Sequence, residues 1–218
     1  LIFVLTRQYK KLMAKGKRVN QTRKRLLDAA EAIVARDGVL SLTFDRVAVE
    51  AEVAKGTVLY HFDCKEALTA AMIERFVERF DTAWADAIAT DPDARGRAIR
   101  AYINATHRGE PFTGLHFDHV NGAITAALAN SPERLRPVQD QGQRHQKAIE
   151  ADAIDPVLST IIRMAVDGLW FAESFNLMRY DPALKAAVID RLTEWTRGRA
   201  EPVAMPKNTT ISSNGRTQ

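Results

Sequence analysis

The run AEVAKGTVLYHFDCKEALTAAM, from Ala51 to Met72, limits the possible folds more than any other part of the chain. Its pattern predicts a short helix presenting Lys55, Thr57, Tyr60 and His61, a break over Phe62 to Cys64, and a capped helix opening at Lys65. Asp63 and Glu66 have capping-box spacing at that opening. Upstream, Thr43 to Ala51 sets Phe44, Val47, Ala48 and Ala51 on one stripe of a two-turn helix, and Glu52 to Ala54 separates the two. A helix, a tight turn and a second helix with a polar, basic exposed face form the geometry that lays one helix in a DNA major groove.

The charge distribution points the same way. Residues 1–65 carry 13 Lys and Arg against 7 Asp and Glu, whereas residues 66–218 carry 18 against 20, within a total of +4. A basic module gains affinity for polyanions by releasing counterions. A solvated basic surface has the same composition, and charge alone does not separate the two. No apolar stretch approaches the roughly 20 residues of a membrane-spanning helix. The LIFVL opening precedes the basic residues instead of following them, opposite to a secretory signal. The single cysteine, Cys64, excludes an internal disulfide and fits a reducing compartment, so a cytoplasmic location without membrane association is expected.

Thr43, Val47, Ala48, Ala51, Val53, the run KGTVLYHF and Lys65-Glu66-Ala67-Leu68 resemble the N-terminal domain of the TetR (tetracycline repressor) family of bacterial transcription regulators, over roughly Arg23 to Met72. The resemblance implies a role for each residue. Thr43 caps the second helix and reaches a phosphate. Lys55 donates to guanine O6 or N7 or to phosphate, Gly56 lets the backbone approach the duplex, and Thr57 meets a base edge or a thymine methyl. Tyr60 and His61 resemble positions that donate to phosphate, and Lys65 joins the free N–H groups of its helix start in attracting one. Phosphate contacts position such a domain and base contacts specify, so most of these residues supply affinity. Three departures bear on this. Leu59 stands where many members carry a tyrosine, so readout there is expected to be apolar. Ala54 replaces a capping serine. Glu52 replaces the turn glycine, where a left-handed backbone costs about 1 kcal/mol more with a β-carbon. His61 is alternatively a helix-end residue satisfied by a carbonyl, and Cys64, where serine is usual, is either a passive cap or a thiol activated by the helix N-terminus.

Helical periodicity runs through almost the whole chain, so the fold class is all-α, with about nine helices. Arg23 to Asp37 is a helix ended by Gly38, with Leu26, Leu27, Ala30, Ile33 and Val34 on one face. Three helices pack around Leu27, Ala30, Phe44, Val47, Val53, Val58 and Phe62. Further helices are expected from Lys65 to about Ala89, Asp93 to about Arg108, His116 to Asn130, Ser131-Pro132 towards Ala151, Val157 to Met178, and Pro182 to about Arg199. The domains follow. Residues 1–19 are a disordered basic arm, of which 1–12 are expected to be non-native because Met13 reads as a start. Residues 20–64 form the helix-turn-helix domain, 65–200 a larger helical domain, and 201–218 a disordered tail.

The segment MAVDGLWFAESFNLMRYDPALKAAVIDRL resembles the end of the C-terminal domain in a subgroup of the same family. That implies a homodimer joined by a four-helix interface, with Ile161, Ile162, Ala165, Leu169, Leu192 and Trp195 as apolar surface. It also implies a pocket for a small-molecule effector. Trp84, Tyr102, Phe112, Phe117, Met164, Trp170, Phe171, Phe175 and Met178 are candidates for its lining, with Asn121, His116 and His119 as polar contacts. Such stripes also occur as plain core. His116 and His119 lack a fixed third metal ligand, and no cofactor is implied. The chain has no nucleotide-binding glycine loop, no Gly-x-Ser-x-Gly elbow and no convincing metal cluster, which argues against an enzyme. The expected function is a ligand-responsive repressor of a palindromic double-stranded DNA operator. A helical lipid or drug carrier suits the C-terminal half alone, but has no use for Lys55, Gly56, Tyr60, His61 and Lys65 in that order.

Overall fold

A computed structural model describes residues 2–107 and 132–198. Within them the chain has eight α-helices and one 3-10 turn, Val39–Ser41. The helices are α1 (Ile2–Asp37), α2 (Phe44–Glu50), α3 (Lys55–His61), α4 (Lys65–Thr90), α5 (Arg97–His107), α6 (Pro132–Glu150), α7 (Pro156–Ser174) and α8 (Pro182–Thr196). The helix predicted from His116 to Asn130 and the tail after Glu201 lie outside the described residues. Where the sequence predicts a disordered arm, the backbone from Ile2 is helical and continuous with the rest of α1. None of the described helices is long and apolar enough to cross a membrane.

Local chemistry sets most of the boundaries. Gly38 ends α1 at φ 80, its N–H donating to the Val34 carbonyl at 3.0 Å. Thr43 caps α2, its Oγ1 accepting from the Arg46 N–H. Ala54 offers α3 no side-chain cap, as its methyl dictates. At α4 the predicted capping box does not form. Cys64 is the N-cap, its Sγ accepting from the Ala67 N–H at 3.4 Å. The cysteine thus does the work expected of the usual serine.

Two cores result, and α4 belongs to both. The first gathers Leu26, Ile33, Leu42, Val47, Val58 and Phe62 with Leu68, Met72 and Ile73 of α4. Each fully buried aliphatic side chain there contributes about 1.5–3 kcal/mol. The second gathers Ile99, Tyr102, Ile103, Ile149, Ile162, Val166 and Ile189, with Phe80 and Trp84 from the far half of α4 packed against it. This corrects part of the predicted dimer surface: Ile162, Leu169 and Leu192 are buried in the chain's own core.

Two helices are shorter than the sequence suggests. α5 begins at Arg97 because the six residues before it are committed elsewhere. Asp91 Oδ1 accepts from the Asp93 N–H, Asp93 Oδ1 accepts from the Arg95 N–H, and Gly96 sits at φ 72. The buried Arg100 fastens this turn, donating to Asp91, to the Arg95 and Asp93 carbonyls and to Thr196 Oγ1 of α8. α7 stops at Ser174, since Asn176 turns left-handed at φ 51 and the Leu177 N–H returns to the Ala172 carbonyl. Asp155 and Asp181 cap α7 and α8 ahead of first-turn prolines.

Candidate functional site

The helix-turn-helix stands at one end of α4. Val58, fully buried, fixes α3 on the first core. This leaves Lys55, Gly56, Leu59 and Tyr60 exposed on its outer face, with Thr57 and His61 half-buried beside them. A Cβ at Gly56 would meet nothing within 4 Å, so the fold leaves this surface open to close approach. Glu52 makes the turn at φ 52, the left-handed geometry expected of the missing glycine. The Tyr60 and His61 rings meet edge to face at 5.2 Å, and desolvation, with Arg23 nearby, holds the His61 pKa below its usual value.

The basic side chains here are held by ion pairs and carbonyls. Lys55 Nζ lies 2.9 Å from Asp45 Oδ1, both side chains more than half exposed. Arg36 bridges Glu50 at 2.9 Å, and Arg46 pairs with Asp37. Lys65 Nζ donates to the Val39 carbonyl at 3.3 Å. Exposed pairs of this kind contribute about 0–1 kcal/mol, so a phosphate can displace them.

At the other end of α4 lies a cavity of about 380 Å³. Phe76, Phe80 and Ala83 of α4 line one side, and Tyr102, Ala105 and Thr106 of α5 the next. α6 adds Val138, Gln141, Gly142 and His145, and α7 adds Arg163, Asp167, Trp170 and Phe171. Of the predicted lining, Tyr102, Trp170 and Phe171 are present. Trp84 instead packs behind His145, ring centroids 4.4 Å apart, and donates its indole N–H to the Ala98 carbonyl. Met164 is 68% exposed and Met178 is also exposed; Phe175 stacks on Phe171 without lining the cavity. Phe112, His116, Phe117, His119 and Asn121 lie outside the described residues. Among the described residues no group of His, Cys, Asp and Glu is arranged for a metal.

The polar wall of the cavity is absent from the prediction. Tyr102 donates its O–H to Asp167 at 2.6 Å, and burial together with that carboxylate pushes the phenol pKa up. Burial also raises the Asp167 pKa. Arg163 lies over the Tyr102 ring at 4.9 Å and donates to the Gly142 carbonyl and Gln146 Oε1, with Nε 3.6 Å from Asp167. Asp81 of α4 collects three groups from α6. Gln141 Nε2 and His145 Nε2 each lie 2.9 Å from its Oδ1, and Arg144 Nη2 lies 3.0 Å from its Oδ2. The one sequence signal for this cluster is Gln141 and His145 at i and i+4, with Arg163 and Asp167 repeating that spacing on α7.

Residues 26–72 match the profile of bacterial regulatory proteins of the tetR family, and residues 96–197 match a tetracyclin repressor-like C-terminal domain. The chain is 30% identical over 153 residues to an uncharacterized HTH-type transcriptional regulator in the dhlA 5' region of Xanthobacter autotrophicus, covering 69% of this chain and 74% of that protein. The chain belongs to the TetR family. It is therefore a DNA-binding transcriptional regulator of the helix-turn-helix type and not an enzyme. Among solved structures, a TetR-family regulator from Streptomyces coelicolor shares the fold at a TM-score of 0.63 and 22% identity, covering 84% of this chain and 97% of its own. A transcriptional regulator from Rhodococcus sp. Rha1 gives 0.66 at 20% identity, covering 83% and 99%. The multidrug binding protein EbrR, solved with ethidium, gives 0.55 at 25% identity, covering 78% and 97%. In TetR terms, α2 and α3 are the helix-turn-helix, and the α5, α6 and α7 walls of the cavity lie in the segment that matches the C-terminal domain.

Proposed function

We propose that this regulator is a repressor that binds a palindromic operator as a homodimer and is released by a small, largely apolar molecule. The supporting observation is that one helix, α4, carries the DNA-reading head on its first half and a wall of the cavity on its second. A ligand that prefers one setting of α4 shifts the spacing of two paired heads. Coupling of ~1–3 kcal/mol is enough to move operator affinity severalfold or more. The aromatic lining and the likeness to EbrR, a multidrug binding protein, both favour a bulky apolar effector. A regulator of this kind works in the cytoplasm, where the DNA is.

DNA contact is assigned to Thr43, Lys55, Gly56, Thr57, Leu59, Tyr60, His61 and Lys65. Dimer contact is assigned to the exposed stripe Val157, Ile161, Met164, Gly168 and Phe171 of α7, with Leu184 of α8. A two-fold pair sets the α3 helices at successive major grooves, roughly 35 Å apart. Fluorescence anisotropy with palindromes from the DNA beside its own gene tests the reading. Lys55→Ala with Lys65→Ala is expected to weaken binding across all sequences and to lower the salt slope by about 2. Failure to bind duplex DNA at low ionic strength sinks the operator assignment. A ligand panel that never moves DNA affinity sinks the sensing assignment.

A further inference from the structure

We propose that the cavity takes an uncharged aromatic molecule bearing a hydrogen-bond donor, a phenol or a neutral aryl N–H compound, received by Gln141 Oε1 and His145 Nδ1. The proposal rests on the ligand-sensing reading above and names the chemical class of that ligand.

Gln141 and His145 sit one turn apart on α6, line the cavity, and are 5% and 3% exposed. Their orientation is fixed by what they touch. Gln141 Nε2 faces two groups that only accept, the Val77 carbonyl and Asp81 Oδ1, both at 2.9 Å. The amide nitrogen therefore belongs there and the amide oxygen is the free end. His145 Nε2 faces the same carboxylate, which places the ring proton on Nε2 and leaves Nδ1 an acceptor in the neutral ring. Desolvation holds the His145 pKa below its usual value, against the pull of the Asp81 carboxylate.

Among the described residues no donor reaches either free acceptor. Two donors of the lining are already engaged: the Tyr102 O–H on Asp167, and Arg163 Nη1 on the Gly142 carbonyl and Gln146 Oε1. A ligand O–H or N–H replaces solvent at these cavity-facing acceptors, whereas a ligand without a donor covers them and leaves them unpaired at a cost of about 1–3 kcal/mol. Charge narrows the class. Within the lining Arg163 stands against Asp167, so the wall is balanced and favours neither an anion nor a cation. The remaining surface at Phe76, Phe80, Trp170 and Phe171 suits an aromatic ring.

Titration of the full-length protein with 4-propylphenol, 4-propylanisole, 4-propylbenzoate and 4-propylbenzylammonium tests this, followed by tryptophan fluorescence and calorimetry. The phenol is expected to bind about tenfold or more tighter than the anisole and than either ion. Gln141→Met with His145→Phe should bring phenol and anisole to within about threefold. Anisole equal to phenol, a charged probe binding most tightly, or an unchanged preference in the folded double variant overturns the donor-recognition proposal and leaves ligand sensing standing. Absence of binding by all four probes at millimolar concentration overturns both. The unmodified protein decides between these outcomes even if the variant does not fold.

Discussion

Glu52 holds a backbone conformation that glycine adopts freely and a residue with a β-carbon adopts at about 1 kcal/mol. The turn leaves it no alternative, because the Glu52 N–H returns to the Val49 carbonyl and the Val53 N–H to the Ala48 carbonyl. Glu52→Gly is therefore expected to stabilise the protein by roughly 0.5–1 kcal/mol, less than the full strain because glycine also frees the unfolded chain. Thermal unfolding by circular dichroism checks it, and a lowered midpoint shows that neighbouring contacts of the carboxylate outweigh the strain. The same variant removes a negative charge beside the reading head, so nonspecific DNA affinity should rise. The strain at Glu52 is legible in the sequence, as are the Thr43 cap and the missing cap at Ala54, because each depends on residues within one turn. The restraints on the basic side chains are not. Lys55 meets Asp45 on another helix, and Lys65 meets the Val39 carbonyl 26 residues away, so both follow from packing.

Elements defined by local signals match the sequence closely, and those defined by tertiary partners do not. α2 and α3 are sited by short-range capping and apolar spacing. α5 starts late because Arg100 gathers the Asp91 to Arg95 turn beneath it and ties that turn to Thr196 of α8, a partner 96 residues away. α7 shows a second limit. It is apolar around much of its circumference, so periodicity does not say which neighbours face inward, and Ile161 is exposed where the adjacent Ile162 is fully buried. Hence Tyr102, Trp170 and Phe171 are legible as cavity residues while Met164 is misplaced. α6 presents the opposite problem, since its polar composition hides Gln141 and His145 as buried residues. The Arg100 clamp yields a prediction at this scale. Asp91→Ala leaves a guanidinium that is 2% exposed without the carboxylate 2.7 Å away. The expected cost is about 3 kcal/mol, as for breaking other buried pairs. Urea unfolding measures it, and a loss under about 1 kcal/mol would mean that the Arg95 and Asp93 carbonyls and Thr196 suffice to hold Arg100.

At the scale of the molecule, the unexplained surface is the stripe of Val157, Ile161, Met164, Gly168 and Phe171 on α7. The spacing alternates four and three residues, which is the heptad seam of a helix packed lengthwise on another. Exposed side chains at that spacing are costly in water, and the proposed dimer would cover them, with Gly168 leaving room for a close helix approach. The buried neighbours serve a different purpose, which lets mutation separate the two. Ile161→Glu with Met164→Glu is expected to leave helicity and thermal midpoint of the monomer nearly unchanged while abolishing the dimer, read by light scattering after gel filtration. Operator affinity should then fall by more than tenfold, because one reading head keeps its contacts to a half-site but loses the partner that raises its effective concentration. Ile162→Ala, one residue away, should instead cost about 2–5 kcal/mol of fold stability with the dimer retained in the folded fraction. A double glutamate variant that still sediments as a dimer would move the interface off α7 and with it the spacing assigned to the operator.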